Sequence, residues 1–313
     1  MLAFSSIFWV KNSIYITFAF RMKRIFEYIL ALGLLSIATA ACAQSSLMWK
    51  VVDPENKSKV SYVFGTIHLQ DSALNCFGNE VWDAIESCDL VAGELDMTDP
   101  TLMMTMMTKA MMKDSTLEEL LTKKELKELN EFMLNIMDQT SWAMFQNMKP
   151  FFLMGSVLGT LDTVPQYTLP MDMRLMNAGI KTVGLETIDE QLAAIDNMSL
   201  SEQANMLMES IQNIDSMRTS FLEMKEYYLR QDIDGMVEFM STMELDPQFS
   251  EGMIEKRNYI MAERLTALLR LNTVFCAVGA GHLPGDEGLL QLLREQGFEV
   301  SPVPFRFLSE GCR

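Results

Sequence analysis

Apolar positions cluster in short runs near both ends of the chain and recur at helical spacing through its middle. Residues 47–52 and 60–69 read as strands, and the polar segment Asp53-Pro54-Glu55-Asn56-Lys57-Ser58 between them predicts a hairpin. A short helix is predicted near 80–87. A buried strand over 90–95 follows, ending at the carboxylate of Glu94. The middle reads as helical. Ser115-Thr116-Leu117-Glu118 and Thr122-Lys123-Lys124-Glu125 have the form of capping boxes, in which a hydroxyl and a carboxylate three residues apart satisfy each other's backbone N–H groups. Leu126, Leu129, Phe132, Met133 and Ile136 mark one apolar helix face. Next come a helix over 171–178 stopped by Gly179, a short strand over 180–185, one or two long helices over 199–232, and another over 251–271. A strand over 273–278, a helix over 289–296 stopped by Gly297, and a strand over 298–303 close the pattern.

Both ends follow one order: strand, Gly-x-x-His-Leu, polar turn, helix, strand. The expected fold class is therefore α/β. A central mixed sheet comes from two related halves, each with a strand–GxxH–helix unit, and a long helical insertion occupies about 100–260.

The first residues have a different character. Met22-Lys23-Arg24 is a positive start, and the apolar stretch 29–38 is too short to span a bilayer. Ala38-Thr39-Ala40-Ala41-Cys42-Ala43 then offers small-x-small cleavage sites. Residues 1–43 are expected to be a signal peptide, with Met22 a candidate true start. Residues 44–313 then form one exported domain, periplasmic, in the cell envelope or secreted. Lipidation of Cys42 would anchor the protein to a membrane. Cys76, Cys88, Cys276 and Cys312 remain, with neither zinc-ribbon nor CxxC spacing. Cys276 lies in an apolar run and reads as a buried thiol; pairing among the others stays open.

The formal net charge is −17. It argues against nucleic acid and anionic membrane surfaces as partners, because neither attracts a strongly acidic protein. Removing 1–43 deletes four basic residues and one acidic residue, so the remainder is more acidic still.

His68 and His282 are the chain's 2 histidines, and both close a Gly-x-x-His motif. A glycine at a strand end lets the backbone turn sharply. The imidazole, a common metal ligand, then stands at the sheet edge where α/β proteins bind ligands. A divalent ion also wants carboxylates. Glu94 and Glu186 each close a predicted strand, and Asp172 follows Pro170-Met171. Arg257 and Asn258, on the helix before the penultimate strand, suit a carboxylate or a substrate carbonyl. No His-Glu-x-x-His, Gly-x-Ser-x-Gly, Walker loop or dinucleotide fingerprint occurs. The 28 methionines are read as core or as an adaptable groove rather than a copper site, because they are scattered through the whole helical middle.

Gly65-Thr66-Ile67-His68, Gly93-Glu94-Leu95-Asp96, Gly184-Leu185-Glu186-Thr187 with Gln191, Arg257-Asn258, and Gly279-Ala280-Gly281-His282-Leu283 with Gly285 together resemble the TraB/PrgY/GumN family and its animal Tiki branch. The resemblance covers roughly 47–305. It implies an α/β fold with both motifs at one site, and metal-dependent peptidase activity in the Tiki branch with manganese or cobalt favoured. For bacterial members it implies inactivation or sequestration of a peptide.

The expectation is an exported metal-dependent hydrolase acting on a peptide or protein through a metal-activated water. His68, His282 and Glu94 hold a divalent ion (Mn, Co or Zn), Glu186 or Asp172 takes the proton, and Arg257 and Asn258 assist. The alternatives are a non-catalytic peptide-sequestering protein and a haem- or iron-binding protein using the same histidines.

Overall fold

The computed structural model describes residues 45–68, 72–161, 169–179, 181–242 and 250–308. The expected signal segment, Cys42, Leu69, Ile180 and Cys312 lie outside the described residues.

Six strands form one sheet: β1 (Met48–Val52), β2 (Val60–Thr66), β3 (Leu90–Gly93), β4 (Thr182–Gly184), β5 (Val274–Gly279) and β6 (Glu299–Pro302). Their order is β4-β3-β5-β2-β1-β6. The expected hairpin is β1 paired antiparallel with β2, and β6 adds antiparallel to β1. The remaining pairs, β2 with β5, β5 with β3 and β3 with β4, are parallel. The two GxxH strands, far apart in sequence, are thus central neighbours.

Register sets the site. Thr66 lies opposite Gly279, and Gly93 lies opposite both Ala277 and Gly184. The four parallel strands therefore end along one edge, and the residues just beyond them emerge together. Strands β2 and β3 end sooner than expected, at Thr66 and Gly93, so His68 and Glu94 stand in the loops that leave the sheet. The run Val274-Phe275-Cys276-Ala277-Val278 is wholly buried, as a parallel strand covered on both faces requires.

Helix α1 (Asn79–Glu86) joins β2 to β3. The chain then leaves the sheet for α2 (Leu102–Ala110), α3 (Leu117–Leu120), α4 (Lys123–Ile136), α5 (Gln139–Phe145) and α6 (Pro150–Leu158). It returns at α7 (Met171–Asn177), just before β4, and runs on through α8 (Ile188–Asp196), α9 (Leu200–Gln212), α10 (Ile214–Leu229) and α11 (Ile233–Ser241). A single π turn, Glu251–Glu255, precedes α12 (Lys256–Leu271), and α13 (Leu289–Glu295) separates β5 from β6.

The helical middle divides between two apolar clusters. Leu117, Leu129, Met133, Trp142, Leu153 and Leu207 belong to a core of α3–α6 and α9. Met171, Leu175, Tyr228, Met236, Met261 and Leu265 pack instead against the sheet. Local signals fare well at helix starts. The box at Thr122–Glu125 forms as expected, whereas the preceding one is Thr116–Glu119, one residue later than Ser115–Glu118. The 199–232 stretch breaks at Asn213 into α9 and α10.

Candidate functional site

Glu94 stands one residue past β3, and its carboxylate collects donors from three other elements. The backbone N–H of Gly279, ending β5, donates to Oε1 at 2.7 Å. On Oε2, Gln191 Nε2 of α8 donates at 3.0 Å and Arg257 Nη2 of α12 at 2.5 Å. Arg257 simultaneously forks onto Glu186, two residues past β4. Its Nη2 reaches Oε2 at 2.7 Å and its Nε reaches Oε1 at 3.0 Å. The Glu186 side chain is 0% exposed, and burial raises its carboxyl above the usual range against the pull of Arg257. The Glu94 side chain is 12% exposed. Burial opposes its charge as well, but His282, Arg257 and the Gly279 N–H outweigh it and hold the carboxyl down, to about 2.

His282 lies three residues past β5, buried, with Nε2 3.7 Å from Glu94 Oε1. Its Nδ1 is 2.7 Å from Asn258 Oδ1. The Asn258 amide has a defined orientation, because its Nδ2 donates to the Glu287 carbonyl at 2.8 Å. Oδ1 therefore accepts, His282 Nδ1 carries the hydrogen, and the Nε2 lone pair faces Glu94. Burial pushes His282 down to about 4, so the ring is neutral at pH 7, the form that binds metals.

The motif glycines work differently from the expected sharp turn. Gly279 has φ −51°, which any residue adopts. Its role is proximity: a Cβ there would sit 3.2 Å from Glu94 Oε1 and 3.5 Å from His282 Cδ2. At Gly65 a Cβ would meet Leu283 Cδ1 at 2.9 Å and Ala280 Cα at 3.1 Å, so the first motif packs its glycine directly against the second.

On the β2 side, His68 Nδ1 lies 3.2 Å from Asp172 Oδ2, at the start of α7. The His68 side chain is 73% exposed and that of Asp172 18%. The hydrogen bond to Asp172 raises His68 to about 9, with Glu94 adding to the attraction. Tyr228 of α10, fully buried, donates to the Gly65 carbonyl at 2.8 Å and touches Met171 Sδ at 3.2 Å. It thereby braces the segments leading to both partners of that pair.

The expected site residues thus fall into two adjoining groups: Glu94, Glu186, Arg257, Asn258 and His282 in one, His68 and Asp172 in the other. Arg257 and Asn258 spend their polar groups on the chain's own carboxylates, on His282 and on the Met253 and Glu287 carbonyls. Gln191 and Tyr228 carry roles that residue patterns alone did not assign. Gln191 lies one turn into a helix whose cap is Thr187, and Tyr228 reads as an ordinary aromatic on an amphipathic helix.

The donors suit a divalent ion in kind: a neutral imidazole nitrogen and an ionised carboxylate oxygen facing each other across 3.7 Å, too long for a hydrogen bond. Thr66 Oγ1, at the same edge, is buried with no hydrogen-bond partner among the described residues, as a site for a further polar group would leave it. No group of three or more His, Cys, Asp or Glu among the described residues is gathered to hold an ion. Cys88 and Cys276 are free and buried, and burial pushes Cys88 up to about 12 and Cys276 higher still, so neither is poised as a thiolate. Cys76 is disulfide-bonded.

The fold and site define an α/β protein with a charged, histidine-containing centre at the carboxyl edge of a mixed sheet. The chain belongs to the TraB/PrgY/gumN family, whose model matches residues 47–302. Curated relatives include "Metalloprotease TIKI2" of Danio rerio, 24% identical over 325 residues, covering 83% of this chain and 61% of that protein. "Metalloprotease TIKI2" of Xenopus tropicalis is 23% identical, covering 83% and 60%, and "Metalloprotease TIKI1" of Homo sapiens is 22% identical, covering 83% and 62%. The chain spans about three fifths of the length of these relatives. No solved structure matches it. No described helix is long and apolar enough to cross a membrane.

Proposed function

We propose that this chain is an exported metal-dependent hydrolase, a peptidase, made of a signal segment over 1–43 and one catalytic domain over 44–313. It would act in the periplasm or cell envelope, or as a secreted protein. The observation that carries the reading is the Glu94–His282 pair, fixed by Arg257, Gln191, Gly279 and Asn258 beside the His68–Asp172 pair. The names of the curated relatives support it.

Glu94, His282 and, on giving up the proton that Asp172 favours, His68 would hold a divalent ion, manganese, cobalt or zinc. When bound it would supply Lewis acidity toward a carbonyl oxygen and lower the pKa of a water. The chain's own groups divide the rest. Arg257 keeps Glu94 ionised and aimed, with Glu186 neutralising the remainder of the guanidinium. Asn258 keeps the His282 Nε2 lone pair directed at Glu94. Asp172 Oδ2, beside His68 at the more open side, takes the proton from the attacking water and returns it to the leaving amine. Glu186, buried and paired with Arg257, is a positioning residue in this scheme.

The test is hydrolysis of a quenched fluorescent peptide library by untagged protein with added Mn, Co or Zn. Turnover should vanish with a chelator and fall at least about a hundredfold in His282→Ala. Peptide binding without turnover, insensitive to the chelator and to His68→Ala, would overturn the hydrolase reading in favour of sequestration.

A further inference from the structure

A cavity of about 730 Å³ adjoins the site on the side of the second GxxH motif, within the size range of small-ligand pockets. Asn258 joins the two. It lines the cavity, holds His282 through Oδ1, and fixes the cavity wall through the Glu287 carbonyl. Gly281 of the motif is part of the same wall, and Met240 and Ile254 lie just beyond it.

The lining has two characters. Val237, Met240, Ile254 and Pro284 provide apolar surface, while Glu255, Asp286 and Glu287 provide carboxylates. No lysine, arginine or histidine is among the described lining residues. Glu287 takes a hydrogen bond from Tyr259, a neutral donor, at 3.1 Å. The nearby Lys256 pairs with Glu251 at 3.1 Å. Partial burial, the Glu287 carboxylate beside it and a side-chain hydrogen bond between the two raise Glu255 above its usual range. A bare ion would use the carboxylates and waste the apolar wall. A long aliphatic stem ending in a cation uses both.

We propose that this cavity is a substrate subsite for a lysine or arginine side chain of a peptide bound across the metal centre. The proposal rests on the peptidase reading for the position of the scissile bond, but binding at the subsite needs no turnover.

The experiment measures binding separately from hydrolysis. Labelled Gly/Ser/Leu peptides with one central lysine, or norleucine or glutamate in its place, are titrated with the full chain in EDTA and followed by fluorescence anisotropy. Norleucine keeps the stem and removes the charge. The lysine peptide should bind about tenfold more tightly than the norleucine one at low salt, and that ratio should shrink between about 20 and about 200 mM salt. The E255Q/E287Q double variant should abolish the preference, and the remote E118Q/E223Q variant should keep it. Equal binding of the lysine and norleucine peptides, or a preference that survives in E255Q/E287Q, overturns the subsite. Lysine-selective binding with no hydrolysis of any peptide keeps the subsite and removes the peptidase reading. Hydrolysis without lysine preference removes the subsite alone.

Discussion

At the residue scale, the site is built around Glu94, a carboxylate with little exposure that accepts from a backbone N–H, an amide and a guanidinium. Arg257 serves two carboxylates at once, so its removal leaves buried negative charge uncompensated. Arg257→Met should cost about 3–5 kcal/mol of stability, read from urea midpoints. A loss below about 1 kcal/mol would mean that Glu186 is neutral or reached by water. Asn258 acts through His282. Asn258→Ala should weaken divalent-ion affinity about 10–100-fold by calorimetry, through loss of the fixed Nε2 orientation. Unchanged affinity would show that packing alone sets the ring. The histidines and Glu94 were legible in the sequence because packing alone seldom sets polar, titratable side chains at the ends of apolar strands. The roles of Arg257 and Asn258 were not. Whether a guanidinium meets a substrate or the chain's own Glu94 and Glu186 is decided by long-range packing, which no local pattern encodes.

At the scale of elements, the sheet was legible and the helices only in part. The strands leading to His68 and His282 are short apolar runs bounded by glycine and polar turns, and their near-continuous burial leaves little choice. The choice between one helix and two over 199–232 stayed open and the π turn at Glu251–Glu255 was hidden, because a helical period continues through both. That π turn lies immediately before Arg257 and Asn258, a place where such turns often mark function. Along α12, Arg257 and Arg264 are two turns apart on one face. Arg264 donates to Leu185 O at 2.8 Å and to Glu190 at 2.7 Å, so one helix fixes β4, α8 and the site together. Gly65 lets the end of β2 pack against Ala280 and Leu283 in the turn that follows β5. Gly65→Ala should therefore overpack this junction and lower stability by about 1–3 kcal/mol, measured by thermal or urea unfolding. A neutral result would mean that Leu283 can withdraw.

At the scale of the whole molecule, charge and burial set the response to acid. Glu94 and Glu190 have carboxyls held down to about 2, Glu190 by Arg264 and its helix cap. Such depressed groups contribute stability above their unfolded value of about 4.5, and it is lost as pH falls toward about 2. His282, buried and neutral with a value near 4, adds a loss that begins below its unfolded value of about 6.5. His68 works in the opposite sense, favouring the fold below about 6.5 and ceasing to do so as pH passes about 9, though its exposure weakens the effect. Metal-free protein should accordingly lose urea stability steadily from about pH 6.5 to about pH 3, and a flat profile there would remove the buried-charge account. The central claim is that Glu94, His282 and His68 form one ion site. Its most direct test is elemental analysis with calorimetric titration of untagged protein, since a tag would add histidines to a chain that has 2. The account predicts a single divalent ion per chain, lost in His282→Ala and in Glu94→Gln. Binding of no divalent ion, or of one that both substitutions leave unchanged, would contradict it.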